Sequence, residues 1–301
     1  MMNNSVCINA YAKINLTLEI LNRLPDGFHE IRSVMQQVEL HDDIIIHQRQ
    51  DRKIILHCDV PKIPLDGNNI VWKTVELVRQ RSGVHHGVEI FIAKRIPVAG
   101  GLAGGSSDAA TTIRGLNKLW ELNLSQDQMT NLGEQLGMDV PYCLIGGTAF
   151  VSGKGQIIKP LPSLPEQQVV IANPGTSMST HVAYKALDEI IDWSKHNQYI
   201  GTNTADLIKV IENGKTSEIS KHLYNDFEKI IRPRIPMVSK IIETMLSCGA
   251  KVALLSGSGP SVYCLVSTQD HAKLVVAGLQ EFTPFAVVTS TVTNQKQFLD
   301  E

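Results

Sequence analysis

Apolar and polar positions alternate most regularly in residues 11–21, and this pattern predicts a half-buried strand. Because successive side chains of a strand point to opposite faces, the polar positions should share one face and the apolar positions the other. The two sets are Lys13, Asn15, Thr17 and Glu19 against Ile14, Leu16, Leu18 and Ile20. Lys13 and Asn15 are therefore expected to project side by side, although a solvated strand face would explain the same pattern.

The remaining patterns predict elements along the whole chain. Strands are expected at 31–40, 44–47, 88–93, 149–151, 169–172, 252–255, 262–266 and 287–292, with His41-Asp42-Asp43 separating the first two. Helices are expected after an N-cap at Asn69, after a glycine-rich stretch near residue 105, after an N-cap at Asp139, near Thr180, and at 126–136, 203–212, 217–231, 236–248 and 270–279.

A change of composition between residues 153 and 165 indicates a domain junction, since glycines are followed there by three prolines. We place the boundary so that the domains are residues 1–158 and 159–301, and the length is sufficient for two modest cores. The second half has the order β-α-β-β-α-β, which is typical of a ferredoxin-like split βαβ domain. The expected fold class is α+β, with a mixed α/β N-terminal domain.

The stretch from Pro97 to Ala110 contains four glycines, two serines and then alanines that begin a helical pattern. Glycines let the backbone amides turn inward, and the helix dipole points to the same place, so the stretch suits an anion such as phosphate. A Walker loop fails because Ser106 stands where lysine is required, and the dinucleotide fingerprint fails because Ala99 replaces its first glycine. A glycine turn that only allows close helix packing is the alternative.

Several side chains outside this stretch are candidates for a site. Phe28 and His29 follow the Pro25-Asp26-Gly27 turn, where they could stack on and hydrogen-bond a flat heterocycle, or form a hydrophobic plug beside a surface histidine. Lys94 and Arg95 precede the glycine stretch, where cations suit phosphate but ordinary surface charges are equally expected. Asp139 is best explained as a helix cap, although a cap can also be a catalytic carboxylate.

Composition narrows the class of protein further. The net charge is −2, so a polyanion-binding face is not indicated and nucleic acid is an unexpected partner. The five cysteines form no Cys-x-x-Cys pair and are typical of reduced thiols in a cytosolic protein. We find no signal or transit segment and no apolar run of membrane-spanning length, so we expect a cytoplasmic protein without a membrane partner. The sequence leaves monomer or homodimer undecided.

The motifs resemble one group of enzymes in order along nearly the whole chain. The template Pro-x3-Gly-Leu-x2-Gly-Ser-Ser-x-Ala-Ala is similar to the phosphate loop of the GHMP small-molecule kinases, and residues 255–259, Leu-Ser-Gly-Ser-Gly, look like their C-terminal glycine motif. Residues 12–16, Ala-Lys-Ile-Asn-Leu, residues 25–30, Pro-Asp-Gly-Phe-His-Glu, and residues 137–141, Gly-Met-Asp-Val-Pro, resemble the 4-diphosphocytidyl-2-C-methyl-D-erythritol kinases among them.

This resemblance implies a two-domain fold with the active site in the interdomain cleft. It implies ATP-dependent phosphorylation of the 2-hydroxyl of a cytidine-diphosphate-linked methylerythritol, in the non-mevalonate route to isoprenoids, with Mg²⁺ required by ATP chemistry and its ligands unknown. By the same resemblance, Asp139 accepts the hydroxyl proton and Lys13 keeps Asp139 ionised. Asn15 orients the methylerythritol, and Phe28, His29 and Tyr184 sandwich and read the cytosine. The implied ATP site comprises Asn69, Lys94, Pro97, Val98, Ala99, Gly100, Gly101, Leu102, Ala103, Gly104, Gly105, Ser106 and Ser107.

Two residues depart from the family pattern, and two other functions compete with this one. Phe28 stands where tyrosine is usual, which keeps ring stacking but removes a hydroxyl, and Ala103 replaces a frequent glycine. A kinase of mevalonate-type or homoserine-type acceptors is the first rival, but those acceptors carry no base to stack on Phe28 and His29. A catalytically silent nucleotide-binding protein is the second, and the presence of both Lys13 and Asp139 argues against it.

Overall fold

The computed structural model of the chain describes residues 4–193 and 202–293, which form two sheets flanked by helices. The strands are β1 (Ser5–Arg23), β2 (His29–Arg49), β3 (Ile54–Cys58), β4 (Gly87–Ala93), β5 (Thr148–Gly153), β6 (Ile157–Pro160), β7 (Gln168–Asn173), β8 (Tyr224–Asn225), β9 (Ala253–Leu255), β10 (Val262–Val266) and β11 (Phe285–Ser290). The α-helices are α1 (Ile70–Ser82), α2 (Gly104–Leu119), α3 (Gln126–Glu134), α4 (Val140–Ile145), α5 (Thr180–Asp188), α6 (Asn203–Glu212), α7 (Glu228–Arg234), α8 (Pro236–Ser247) and α9 (Gln269–Gln280), and a 3-10 helix spans Thr216–Lys221.

The first sheet is built around two long antiparallel strands, β1 and β2, in the order β3-β4-β2-β1-β8, with β5 and β6 extending from the other part of β2. The prediction of two strands in this region was wrong, because β2 runs without a break through His41-Asp42-Asp43. Asp43 pairs with Asn9 of β1 on one side and with Ala93 of β4 on the other. Pairing on both sides thus holds a polar segment in the strand.

The faces of β1 differ from the simple alternation, because the register with β2 shifts between Asn15 and Thr17. Such a bulge reverses the direction of the following side chains. Leu18 consequently lines the same cavity as Lys13 and Asn15, whereas Thr17 accepts a hydrogen bond from Thr204 of α6. The assignment of all four polar residues to one face was therefore wrong. The polar side chains are also buried, so the solvated-face alternative is excluded.

The second sheet has the strand order β11-β7-β10-β9 with every neighbouring pair antiparallel, as expected for a split βαβ domain. Its core packs apolar residues of the sheet against α5, α7, α8 and α9. The predicted helix at 217–231 was wrong, since that segment contains the 3-10 helix, the two-residue strand β8 and α7. The side chain of Asn225 accepts a hydrogen bond from the Phe227 backbone N–H, and that of Asp226 accepts from the Ile20 backbone N–H. Such side-chain-to-backbone bonds compete with helix formation.

The two halves of the chain are interleaved rather than simply joined. The proposed boundary at residues 158/159 falls within β6, which pairs with β5 in the first sheet. Later in the chain, β8 returns to the first sheet and pairs in parallel with Thr17 and Leu18 of β1. Within residues 4–193 and 202–293, no helix is both long enough and apolar enough to cross a bilayer.

Candidate active site

A cavity of about 470 Å³ lies between the first sheet and the helices and loops of the second half. The first half contributes β1, the segment 63–70, the glycine loop and Asp139. The second half contributes Met178 to Thr180, Tyr184, Phe227, Gly257 and Ser258. Concave sites of this kind at the junction of two units are common positions for ligands.

The glycine loop, residues 97–103, leads directly into the N-terminus of α2. The backbone is left-handed at Ala99 (φ 51°), Gly101 (φ 79°) and Ala103 (φ 58°), a conformation that alanine adopts only at an energetic cost. Gly104, Gly105 and Ser106 form the first turn of α2 and line the cavity. The free amides and the positive end of a 16-residue helix therefore face the cavity, which makes this end suitable for phosphate.

Gly101 joins the glycine loop to the loop between β9 and β10. A Cβ added at Gly101 would lie 2.2 Å from the Ser256 carbonyl oxygen and 2.9 Å from the Gly259 nitrogen. The Gly101 carbonyl oxygen accepts hydrogen bonds from Lys13 Nζ (2.9 Å) and Ser256 Oγ (3.0 Å). Ser256, in the C-terminal glycine motif, thus holds the glycine loop in place from the second half of the chain.

Lys13 and Asp139, distant in the sequence, line the same cavity. The Lys13 ammonium is buried and donates to Asn15 Oδ1 at 2.6 Å. Burial lowers the pKa of Lys13, and the charge of Asp139 opposes that effect, so the two groups interact electrostatically. Asp139 occupies the N-cap position of α4, but its side chain makes no capping hydrogen bond. The predicted N-cap position of Asp139 is therefore confirmed, but its carboxylate does not cap the helix and is available to the cavity.

Asn15 is fixed by hydrogen bonds on both sides of its amide. Its Oδ1 accepts from Lys13, and its Nδ2 donates to Ser33 Oγ at 2.8 Å. The backbone oxygen of Asn15 accepts from the Tyr263 hydroxyl at 2.8 Å, so the second half of the chain also contacts this residue. Lys13 and Asn15 are consequently held as a rigid pair at the wall of the cavity.

The aromatic candidates lie at one end of the cavity, and only Tyr184 lines it directly. His29 stacks on Tyr184 with ring centroids 4.6 Å apart, and its Nε2 lies 2.7 Å from Asp188 Oδ1. A base between two rings needs about 7 Å, twice a carbon–carbon contact distance, so no base fits between His29 and Tyr184 as they stand. Phe28 is 48% exposed, with Lys154 Nζ 4.9 Å from its ring centroid.

Lys94 forms a buried cluster with two carboxylates beside the glycine loop. Its ammonium donates to Asp42 Oδ2 (2.5 Å) and Asp108 Oδ2 (2.7 Å). Burial alone lowers the pKa of Lys94, but the two carboxylates raise it above the ordinary value. Burial raises the pKa of Asp108 to about 7, with Lys94 acting in the opposite direction. Arg95 is instead largely exposed and pairs with Asp43, as expected for an ordinary surface charge.

The other predicted site residues divide into lining and supporting positions. Asn69 caps α1 by accepting from the Val71 nitrogen at 2.8 Å, and it also lines the cavity. Leu102 and Ser107 are buried behind the loop, where the Leu102 carbonyl accepts from the Lys13 nitrogen at 3.1 Å. The predicted residues that line the cavity are Lys13, Asn15, Asn69, Lys94, Pro97, Val98, Ala99, Gly100, Gly101, Ala103, Gly104, Gly105, Ser106, Asp139 and Tyr184.

Sequence reasoning missed several residues of this region. Gly257 and Ser258 line the cavity, and their place in the C-terminal glycine motif was a signal that could have identified them. Asp108 stands at the variable position of the Ser-Ser-x-Ala-Ala tail, so the motif itself gave no reason to select it. Asp42 and Asp188 are contributed by distant elements, and only the folded chain brings them to Lys94 and His29.

Comparison with known proteins places the chain among nucleotide-dependent kinases. Residues 69–147 match the family model "GHMP kinases N terminal domain", and residues 207–284 match "GHMP kinases C terminal". The 4-diphosphocytidyl-2-C-methyl-D-erythritol kinase of Enterococcus faecalis is 41% identical over 273 residues, which is 91% of this chain and 94% of that protein.

Solved structures are similar over almost the whole chain. A crystal structure of 4-(cytidine 5'-diphospho)-2C-methyl-D-erythritol kinase matches with a TM-score of 0.78 at 26% identity, covering 95% of this chain and 99% of that chain. Homoserine kinase from Cytophaga hutchinsonii matches with the same TM-score of 0.78 at 19% identity, covering 99% of this chain and 97% of that chain. The second match shows the shared fold alone, so substrate must be argued from sequence identity and from the site.

Proposed function

The chain belongs to the 4-diphosphocytidyl-2-C-methyl-D-erythritol kinases within the GHMP kinases, and on that premise we propose that it transfers the γ-phosphoryl group of ATP to the 2-hydroxyl of 4-diphosphocytidyl-2-C-methyl-D-erythritol. The products are the 2-phosphate and ADP, in the non-mevalonate route to isoprenoid precursors. The observation that carries the proposal is the meeting of Lys13 and Asp139 in one cavity with the glycine loop.

Phosphoryl transfer depends mainly on positioning the reactants and stabilising charge. In the proposed reaction the substrate hydroxyl gives its proton to the Asp139 carboxylate, and the hydroxyl oxygen forms a bond to the γ-phosphorus. The bond between that phosphorus and the bridging oxygen breaks, and its electron pair leaves with ADP. The positive charge of Lys13 keeps Asp139 ionised before transfer and attracts the developing alkoxide. Asn15 holds Lys13 in this position and is available to orient the acceptor.

ATP would lie with its phosphates on the glycine loop and the first turn of α2, where amides and the helix dipole favour negative charge. Asn69, which lines the same cavity, would lie near the nucleoside. Mg²⁺ usually takes one or two protein carboxylates and completes its shell with substrate phosphates. Asp108 and Ser106 offer oxygen atoms at the phosphate end and fit such an ion, whose chemical contribution is to neutralise the phosphates.

The acceptor would extend from Asn15 toward Tyr184, which places its base at the aromatic end of the cavity. One face of Tyr184 is covered by His29, and the Tyr184 ring also meets Phe227 edge-on, with centroids 4.9 Å apart. Stacking of the base between rings therefore requires Tyr184 or His29 to move. Phe28 lies at the adjoining turn and supplies a further exposed ring.

The test is ADP release by the purified protein with ATP and Mg²⁺, comparing the cytidyl-methylerythritol acceptor with mevalonate and homoserine. We expect turnover with the cytidyl acceptor alone, and we expect Asp139→Asn to lower kcat by about 10²- to 10⁴-fold while ADP still binds. Turnover with another acceptor would refute the substrate assignment. Binding of ADP without any turnover would instead favour a silent nucleotide-binding protein.

We also infer a reducing compartment, the cytoplasm, for the proposed reaction. All five cysteines lie in the part of the chain that the structure describes, and each is a free thiol. Unpaired cysteines at scattered positions are typical of proteins kept under reducing conditions.

A further inference from the structure

Asp108 is a buried carboxyl group that takes no part in the proposed proton transfer. Its side chain lies on the second turn of α2, is 5% exposed, and lines the cavity. Oδ2 accepts from Lys94, whereas Oδ1 is buried without a hydrogen-bond partner. Leaving a buried carboxylate oxygen unpaired is costly, so its place beside a ligand cavity calls for a partner that arrives with the ligand.

The neighbouring carboxylate, Asp42, differs in just this respect. Its Oδ1 accepts from the backbone nitrogens of Arg95 (2.5 Å) and Ile96 (2.8 Å), and its Oδ2 accepts from Lys94. Asp42 is therefore fully used in holding the segment before the glycine loop and in fixing Lys94. Of the two carboxylates on Lys94, Asp108 is the one with an oxygen to spare.

We propose that Asp108 is the protein's carboxylate ligand for the divalent cation that accompanies the nucleotide, and that Lys94 orients it. This inference rests on the proposed function, because it assumes that phosphates bind at the start of α2. The cluster lies at that point, since a Cβ added at Gly104 would be 3.3 Å from Lys94 Nζ.

The charges of the cluster explain why a cation is needed. When Asp108 is ionised, two carboxylates and one ammonium leave an excess of one negative charge next to the position of the phosphates. Phosphate and carboxylate repel each other unless a cation lies between them. The described residues, 4–193 and 202–293, contain no group of three or more His, Cys, Asp or Glu side chains arranged for a metal ion. A single carboxylate assisted by nucleotide phosphates is the arrangement that Mg²⁺ commonly uses.

The experiment measures the affinity of the full-length protein for ADP by titration calorimetry, with Mg²⁺ and with a chelator. Asp108→Asn keeps an oxygen that can accept from Lys94 but removes the charge. We expect this variant to bind Mg²⁺–ADP about 5- to 150-fold more weakly than wild type and to bind metal-free ADP at least as tightly. Asp43→Asn is the matched control, because it removes an equal charge next to the cluster from a residue paired with exposed Arg95. Asp43→Asn should bind Mg²⁺–ADP and metal-free ADP as tightly as the wild type does.

If Asp108→Asn weakens the binding of Mg²⁺–ADP and of metal-free ADP equally, Asp108 has a structural role and the inference is overturned. The inference is also overturned if Mg²⁺ changes the ADP affinity of Asp108→Asn as much as it changes that of the wild type. Failure of wild-type protein to bind ADP at all would overturn the proposed function as well. A second measurement needs no variant and uses Fe²⁺ in place of Mg²⁺. With ADP, ascorbate and peroxide, the bound Fe²⁺ should cleave the wild-type backbone next to the cation site. Scission concentrated at residues 104–108 supports Asp108, and scission confined to the vicinity of Asp139 would refute it.

Discussion

The close approach of the glycine loop to the β9–β10 loop is testable by adding a single methyl group. Gly101→Ala places a Cβ 2.2 Å from the Ser256 carbonyl oxygen, far inside contact distance, at a residue with φ of +79°. The two atoms nearest this Cβ, the Ser256 carbonyl oxygen and the Gly259 nitrogen, belong to the backbone, so no flexible side chain can move aside. The two loops must separate, and the hydrogen bonds to the Gly101 carbonyl must lengthen with them.

The expected magnitude follows from two costs and one gain. A left-handed alanine costs roughly 1 to 2 kcal/mol, and overpacking adds roughly 1 to 3 kcal/mol. Alanine also restricts the unfolded chain, which returns about 0.5 to 1 kcal/mol. We therefore expect Gly101→Ala to lower the free energy of unfolding by roughly 1 to 4.5 kcal/mol.

Gly105→Ala is the matched control, because it lies four residues away in the first turn of α2 and its added Cβ comes no nearer than 3.9 Å to Ile70. In a helix, alanine is favoured over glycine, so this variant should be unchanged or up to about 1 kcal/mol more stable. Urea denaturation without nucleotide measures both variants. If Gly101→Ala unfolds at the same urea concentration as Gly105→Ala, the described packing of the two loops is incorrect.

Three further variants test other features of the site. Burial lowers the pKa of Lys13 below 10.5, so the unfolded state binds the Lys13 proton more tightly than the folded state. The free energy of unfolding of the wild type, relative to that of Lys13→Met, should therefore rise with pH between the folded pKa and 10.5. Denaturation at stepped pH measures both proteins, and a difference between them that does not change with pH contradicts the prediction. Ala103→Gly should stabilise the protein by up to about 1.5 kcal/mol, since it removes left-handed strain; a lower unfolding midpoint would disprove the strain. Tyr184→Ala should raise KM for the cytidyl acceptor without changing KM for ATP, because it removes the ring. Tyr184→Phe keeps the ring and should match the wild type. If Tyr184→Ala raises both KM values equally, Tyr184 has no acceptor-specific role.

Local sequence signals were sufficient to predict the structure of segments whose conformation depends mainly on their own residues. The cap at Asn69 and the apolar spacing that follows it predict α1 and the residues it buries, because a helix cap and a helical stripe act within a few turns. The glycine loop was likewise visible in the sequence, since four glycines and two serines stand directly before a helical pattern, although the left-handed backbone at Ala99 and Ala103 could not be predicted from alanine.

Features that depend on distant partners could not be predicted in this way. The bulge between Asn15 and Thr17 depends on the register with β2, and it moves Leu18 to the cavity side. A solvated face was an equally good explanation of the polar positions of β1, because nothing local indicates that the rest of the chain buries these side chains. Asp139 has the N-cap position that its sequence predicts, but only the folded chain brings its carboxylate, which does not cap the helix, into the same cavity as Lys13.

The return of β8 to the first sheet limits how the chain can change by recombination. Thr17 and Leu18 of β1 pair with Tyr224 and Asn225, and Asn225 also donates to the carbonyls of Leu255 and Gly257 in the C-terminal glycine motif. A chimera that takes its first half from one relative and its second half from another would have to match β1, β8 and this motif simultaneously. A fragment lacking β8 would expose the edge of β1 at Thr17 and Leu18, starting two residues after Asn15. Such an exposed strand edge invites pairing with other molecules. The two halves therefore depend on each other for their structure, although each matches a separate family model.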